Sequence, residues 1–274
     1  MKEHTRWSTL EIAGRIEVLY ARYFGHAFAP HWHEEFSIGL IDAGVEQFEY
    51  AGALHRAMKG EIVLFDAGQV HTGEAFDESG FGFRMLYVPE STFREVSEMP
   101  TRRGNGSLHF TTPVLKDGSV WRSFMTAHES LETGASSLEI ESRFVNAIAS
   151  LLMVASSWRT SEARPFVPSA VRAARDYLHD HLFRDISLTE LAQISGISKY
   201  HFIRAFRERF GLTPHAYQLQ QRILRAKHLL RKQPVVDVAH RCGFADQSHL
   251  HRVFRAFVGT TPGRYAQQFR TRPI

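Results

Sequence analysis

The chain has 274 residues, of which 43% are hydrophobic. This length predicts two domains, because single hydrophobic cores usually stop growing at about 250 to 300 residues. No secretory leader or membrane span is expected: the first twenty residues lack a continuous apolar core, and the longest apolar stretch, residues 147–155, is far shorter than about 20 residues. The single cysteine, Cys242, excludes an internal disulfide and is predicted to fill a helix contact in a reducing compartment.

Charge is divided unequally along the chain. Residues 169–274 contain 18 Lys and Arg against 7 Asp and Glu, a net charge of +11, whereas residues 1–168 have a net charge of −7. A basic segment attracts a polyanion and releases its counterions, and an acidic segment is repelled. Nucleic acid is therefore the expected partner of the second half only.

The first half has the pattern of a β domain. Short runs rich in aromatic and β-branched residues are separated by glycines, which is typical of a small antiparallel sandwich or barrel. The predicted strands cover residues 15–24, 36–41, 45–51, 61–65, 70–76 and 81–88.

A His-x-His motif, His31 and His33, precedes His71 by about forty residues. Together with the glycines between them, these histidines resemble the two motifs of cupin barrels. Metal-binding cupins carry a glutamate after the first motif, where this chain has Ser37. The sequence therefore favours no bound cofactor, with histidines that contact an effector or support the barrel. A divalent metal on the three histidines is the alternative.

The effector pocket predicted in this barrel is built from aromatic, aliphatic and histidine side chains. Its candidate residues are Phe24, His31, His33, Phe36, Ile38, Tyr50 and His71, with Met58 and Phe65 as further lining. The alternative for the apolar members is plain core, because a small barrel fills itself with side chains.

Two helices are predicted after the barrel, over residues 118–132 and 137–158. The second is amphipathic, with apolar residues spaced by three and four. That face can pack on the barrel or pair with a second copy of the chain.

The C-terminal half contains an internal repeat, residues 194–217 and 241–265, at an offset of 48. In each copy a short helix ends near a glycine, and a second helix follows a good N-cap, Ser198 or Asp246. Aromatic residues form its inner stripe. Its outer face carries Lys199, Tyr200, Ile203, Arg204 and Arg207 in the first copy, and Gln247, Ser248, His251, Arg252 and Arg255 in the second.

These are the parts of two helix-turn-helix units with polar and cationic recognition helices. One copy alone could be an ordinary helical bundle with a solvated basic face, but two matched copies argue against that alternative. Residues 215–231 predict a joining helix of 17 residues, about 25 Å long. Such a helix could hold the two units roughly one turn of DNA apart.

The segment 238–265 resembles the signature of AraC-type regulators through Gly243-Phe244, Asp246-Gln247-Ser248 and Gly259 with Pro262. The resemblance covers about 100 residues and implies DNA-binding roles. By this resemblance the base-contacting positions are Tyr200, Ile203, Arg204, Gln247, Ser248, His251 and Arg252, with Lys199 beside them. Ile203 departs from the pattern, since it offers only an apolar contact.

The resemblance also implies an effector-binding cupin-like domain and pairing of two chains. We therefore expect a cytoplasmic, nucleoid-associated transcription regulator and not an enzyme, binding double-stranded DNA, an unidentified small molecule and a second copy, with RNA polymerase as a candidate partner. The expected domains are residues 1–160, a linker 161–168 and residues 169–274. A metal-dependent cupin enzyme with an appended DNA-binding domain is the alternative, and a non-specific nucleic-acid binder would not explain two paired recognition helices.

Overall fold

A computed structural model describes residues 3–12, 14–97, 106–160 and 169–270. The chain forms two compact units, one of residues Met1–Ala27 and Trp32–Glu162 and the other of Phe28–His31 and Ala163–Ile274. The predicted linker 161–168 lies outside the described residues. Within the described part, no helix is both long and apolar enough to cross a membrane.

The first unit is built on antiparallel strands, as predicted. Its main sheet follows the order β1-β2-β8-β4-β6-β10, and β5 and β7 add to β4. The strands are β1 His4–Glu11, β2 Arg15–Tyr23, β3 Ala27–His31, β4 Phe36–Tyr50, β5 Ala53–Met58, β6 Ile62–Phe65, β7 His71–Ala75, β8 Phe81–Val88, β9 Gly106–Phe110, β10 Val114–Leu115 and β11 Ser156–Thr160. Strand β4 joins two predicted strands into one, with a register irregularity between Ile41 and Ala43.

The described part of this unit has three helices: α1 Glu90–Val96, α2 Gly118–Thr133 and α3 Ser137–Ala155. The Asp117 and Ser136 side chains cap α2 and α3. The apolar face of α3 packs in one core cluster with α2 and with β4 residues such as Ile38. Of the two predicted uses of this face, packing on the sheet is the one observed. Helix α3 ends three residues earlier than predicted because the chain turns extended into β11, which pairs with β9.

The second unit contains α4 Ser169–Asp180, α5 Leu188–Ser195, α6 Lys199–Phe210, α7 Pro214–Leu230, α8 Val235–Arg241, α9 Gln247–Val258 and α10 Pro262–Arg270. Helices α5 and α6 form the first helix-turn-helix unit, and α8 and α9 form the second. The joining helix α7 has the predicted 17 residues, although it begins and ends one residue earlier than predicted. Phe202, Phe206 and Phe254 are fully buried, so the predicted aromatic stripes are the inner faces of α6 and α9.

Candidate nucleic-acid interface and ligand-binding unit

Both recognition helices begin where their N-caps place them. The Ser198 hydroxyl accepts a hydrogen bond from the backbone N–H of His201 at 3.4 Å, and the Asp246 carboxylate accepts one from His249 at 2.7 Å. Satisfying these otherwise unpaired donors fixes the first helical turn. The residues predicted to meet bases therefore lie at or near the helix N-termini.

Most of the predicted DNA-contacting side chains are exposed, and Tyr200 is 73% exposed. Ile203 is half-buried and is the exception. The exposed members are Lys199, Tyr200, Arg204, Gln247, Ser248, His251 and Arg252. Each helix thus buries its aromatic stripe and presents hydrogen-bonding and cationic groups on the opposite side, which is the division of faces that a major-groove helix needs.

The matched arginines of the two copies have different neighbours. Arg204 Nε donates to Glu208 Oε1 at 2.9 Å, one turn further along α6. The position that matches Glu208 in α9 is Ala256, which offers Arg252 no carboxylate. Base or phosphate contact by Arg204 therefore competes with an exposed ion pair, whereas Arg252 has no such competitor at that position.

A buried arginine of α7 connects the two helix-turn-helix units. The guanidinium of Arg222 donates to the carbonyl oxygens of Leu182 at 2.8 Å and Arg184 at 2.8 Å, in the loop before α5, and to that of Gly243 at 2.7 Å, in the turn before α9. The Gln218 amide donates to the first two carbonyls as well. The junction between the units is therefore a set of charge-assisted hydrogen bonds to backbone.

The structure brings the three predicted histidines together. One ring nitrogen each from His31, His33 and His71 lies within 4.8 Å of the others. Nδ1 of His31 is 2.8 Å from the Ala29 carbonyl, and Nδ1 of His71 is 3.0 Å from the Gln69 carbonyl. Because a carbonyl can only accept, each neutral ring donates through Nδ1 and carries its lone pair on Nε2.

The chemistry of this cluster can be tested against a metal. Three imidazoles fit a divalent ion as a partial ligand set. Ser37, which stands where metal cupins carry a carboxylate, is buried, and its hydroxyl has no hydrogen-bond partner among the described residues. The donor set is therefore three imidazoles without the acidic ligand, and imidazoles can equally bind polar groups of an organic ligand.

The remaining pocket candidates lie at several different places. The Tyr50 ring is 5.3 Å from that of Phe65, and the Phe65 ring stacks on His71 at 3.9 Å. Burial raises the pKa of Tyr50 to about 12, with a smaller contribution from Asp66. Phe24 is half-buried beneath the Arg22 guanidinium, at 5.4 Å. Tyr50, Phe65 and His71 therefore form one contiguous aromatic group.

Three predicted lining residues are placed elsewhere. Phe36 and Ile38 lie in the core cluster with α2 and α3, and Met58 is 51% exposed. Successive residues of a strand point to opposite faces. Residues Phe36 and Ile38 thus face the helices, while Ser37 between them faces the other way. The sequence could not show this, because both faces of this part of β4 are buried.

One buried polar residue of β4, Glu46, was not predicted. Its side chain is only 4% exposed. Alternation along β4 was the signal that could have found it, because Glu46 shares a face with Phe48 and Tyr50. An acidic residue that shares a strand face with two aromatic residues is expected to be buried.

Two family models cover most of the chain. The model described as an AraC-like ligand binding domain matches residues 13–148, and a helix-turn-helix domain model matches residues 191–268. These are the two units whose sites have been described. The chain belongs to the AraC family of transcription regulators.

Relatives of this AraC-family regulator match it over nearly their whole length. It is 28% identical to the HTH-type transcriptional regulator YbfI of Bacillus subtilis, over 91% of each chain. It is 25% identical to the transcriptional activator RhaS of an Enterobacter species, over 88% of each chain. Both relatives are regulators by name, which favours regulation over the enzyme alternative.

The fold is also similar to that of a solved structure. ToxT from Vibrio cholerae superposes with a TM-score of 0.52 at 11% identity, over 98% of this chain and 99% of ToxT. At this identity the likeness concerns the fold alone. The predicted architecture, an antiparallel β domain with trailing helices and a helical domain with two helix-turn-helix units, is confirmed.

Proposed function

We propose that a small molecule bound by residues 1–160 changes how residues 169–274 engage promoter DNA, and so alters transcription. The observation that carries this proposal is the pair of exposed, capped recognition helices in a unit of net charge +11, joined to an AraC-like ligand binding domain. A ligand achieves such regulation through different affinities for two arrangements of the protein.

We propose that base contacts come from the outer faces of α6 and α9. Arginine can bind a guanine edge with two hydrogen bonds, glutamine can do the same with adenine, and serine can bond either. The proposed set is Lys199, Tyr200, Ile203, Arg204, Gln247, Ser248, His251 and Arg252. The half-buried Ile203 is restricted to apolar contact, which makes α9 the better equipped helix for polar recognition.

We propose that His31, His33, Tyr50 and His71 contact the effector. The clustered ring nitrogens and the adjoining Phe65 ring combine hydrogen-bonding groups with an apolar surface, as small-molecule sites usually do. Elemental analysis of the purified protein tests whether these histidines serve an organic ligand. A full equivalent of zinc, iron or manganese that is lost with His33→Ala would contradict this part of the proposal.

We propose that the protein acts in the cytoplasm as a homodimer, with RNA polymerase as a further partner. Helix α3 supports the dimer, because its outer side exposes large apolar residues: Leu138 is 76% and Met153 is 88% exposed. Such exposed apolar surface commonly marks an interaction site. Leu138→Glu combined with Met153→Glu should shift the sedimentation equilibrium towards monomer, and an unchanged mass distribution would contradict this assembly.

In vitro selection from a random duplex library tests the central proposal. The full chain should enrich a two-part motif with half-sites about 10 base pairs apart. Affinity for the selected site should exceed that for random DNA by at least about 10³ at one salt concentration, and should fall steeply between about 50 and 200 mM salt. Enrichment of no motif, with salt-dependent binding retained, would support the non-specific alternative.

A further inference from the structure

Glu46 lies on the inner face of the sheet formed by β5, β4 and β7. Phe48, two residues further along β4, shares that face and is almost fully buried. Gln47 points the opposite way, where it hydrogen-bonds Arg56 and Glu74 on the exposed side. The alternation along β4 therefore directs the Glu46 carboxyl into the domain.

The strands beside Glu46 place small residues opposite it. Its register partners are Ala57 on β5 and Ala75 on β7, which both carry only a methyl side chain. The Phe48 ring follows on the same face, 5.1 Å from the ring of Phe65. Glu46 thus has a small residue beside it on each neighbouring strand and Phe48 next on its own face of β4.

One oxygen of this carboxyl group is unpaired within the part of the chain that the structure describes. Its Oε2 atom is buried and has no hydrogen-bond partner among the described residues. Burial, with no opposing charge, raises the pKa of Glu46 to about 8. An unpaired buried polar group costs stability of the order of 1 to 3 kcal/mol, so a group retained in this state calls for a partner outside the chain.

We propose that Glu46 binds the ammonium group of a small organic amine on the inner face of the first unit. This inference rests on the proposed function, in which that unit holds an effector. An ammonium group donates three hydrogen bonds and supplies a positive charge that favours the ionised form of the carboxyl group. The Phe48 ring, which lies on the same face of β4, adds aromatic surface of the kind that organic cations favour.

Binding of an ammonium group has a defined proton balance. At neutral pH the free protein carries a proton on the Glu46 carboxyl, and the amine carries its own. Formation of the ion pair leaves the ammonium intact and releases the carboxyl proton to solvent. The titratable groups that share the inner face are His55 on β5, His71 on β7 and Tyr50 on β4.

Calorimetry on the full chain tests this proposal with matched probes. Benzylamine, cyclohexylamine and n-butylamine are titrated against benzyl alcohol, cyclohexanol and n-butanol, which have the same carbon frames without the charge. We expect at least one amine to bind at least about tenfold more tightly than its alcohol. At pH 7, two buffers with different ionisation enthalpies should report release of close to one proton per bound amine.

Two variants assign the effect to Glu46. Glu46→Gln should abolish both the preference for the amine and the release of a proton. Glu49→Gln removes a carboxylate from the exposed face of the same strand and should leave both unchanged. Thermal melts and DNA binding of each variant verify that it is folded.

Equal affinity of the wild-type chain for amines and alcohols would overturn the proposal, and so would amine preference with proton release retained in Glu46→Gln. The wild-type measurement decides even where Glu46→Gln fails to fold. Either failure leaves the proposed function standing if the selection experiment yields a specific DNA motif, since the effector would then be uncharged or bind elsewhere.

Discussion

The two helix-turn-helix units are copies of one motif, yet their turns have different surroundings. A Cβ added at Gly196, in the first turn, would have no described heavy atom within 4 Å other than those of its neighbours in the chain. A Cβ at Gly243, in the second, would lie 2.5 Å from the carbonyl oxygen of Phe183. Both glycines have a positive φ, which by itself explains a glycine at position 196. Gly243 also allows the second turn to approach the backbone of Phe183 closely.

Arg222 strengthens the same contrast. Its guanidinium reaches the second turn at Gly243 and the loop at Leu182 and Arg184, so it makes no equivalent bond to the first turn. Duplication thus supplied two recognition helices, while tertiary contacts made the second turn the junction that positions them. Substitutions in the second turn should therefore affect the whole domain, and those in the first should stay local.

Substitution of the two turn glycines should cause the largest loss of stability. Gly243→Ala should lower the free energy of unfolding by about 2 to 5 kcal/mol, because left-handed backbone strain adds to a steric clash. Gly196→Ala should lower it by only about 1 to 2 kcal/mol, since strain acts alone. Urea denaturation of the full chain, followed through the helical signal, measures both. Equal losses would show that the contact with Phe183 is unimportant.

Arg222→Met should lower the free energy of unfolding by about 3 kcal/mol, because the Gly243 carbonyl loses a charged donor and the other two retain only Gln218. DNA selected from a random library by this variant should also contain half-sites at a wider range of spacings. Arg225→Gln, an exposed charge loss one turn away, is the matched control and should change stability by less than about 0.5 kcal/mol.

A variant with the expected loss of stability but unchanged half-site spacing would limit Arg222 to a stabilising role. The spacing profile is the decisive measurement, because lowered stability by itself reduces the active fraction without altering which spacing is preferred.

Arg252→Ala should weaken binding to the selected site by about 1 to 3 kcal/mol and relax preference at one base pair, with little change on random DNA. Arg204→Ala should cost less, because the Arg204 guanidinium already binds Glu208 in the free protein. Competition binding against single-base variants of the site measures both. The same loss on every sequence would assign Arg252 to the phosphate backbone.

The smallest effect concerns Glu208. Removal of this exposed partner frees Arg204, so Glu208→Ala should tighten binding to the selected site by about 0.3 to 0.5 kcal/mol. The gain should disappear in an Arg204→Ala background, which a double-mutant cycle detects. A gain that persists there would show that Glu208 acts through general repulsion of phosphates.

Features that depend on local chemistry could be predicted from the residues alone. Caps, glycine turns and helical periodicity need only neighbouring residues, so the starts of α6 and α9 and the 17-residue length of α7 are as predicted. The outward face of each recognition helix follows from the position of its buried stripe. The cluster of His31, His33 and His71 was also foreseeable, from residue types and strand periodicity.

Only the tertiary structure decided which face of each strand meets which layer. Alternation separates Phe36 and Ile38 from Ser37, but it cannot say which set faces helices and which faces the interior when both are buried. The burial of Glu46 Oε2 and the junction at Gly243 likewise depend on residues distant in sequence. Such contacts arise from packing between residues that are distant in sequence, and local sequence patterns do not show them.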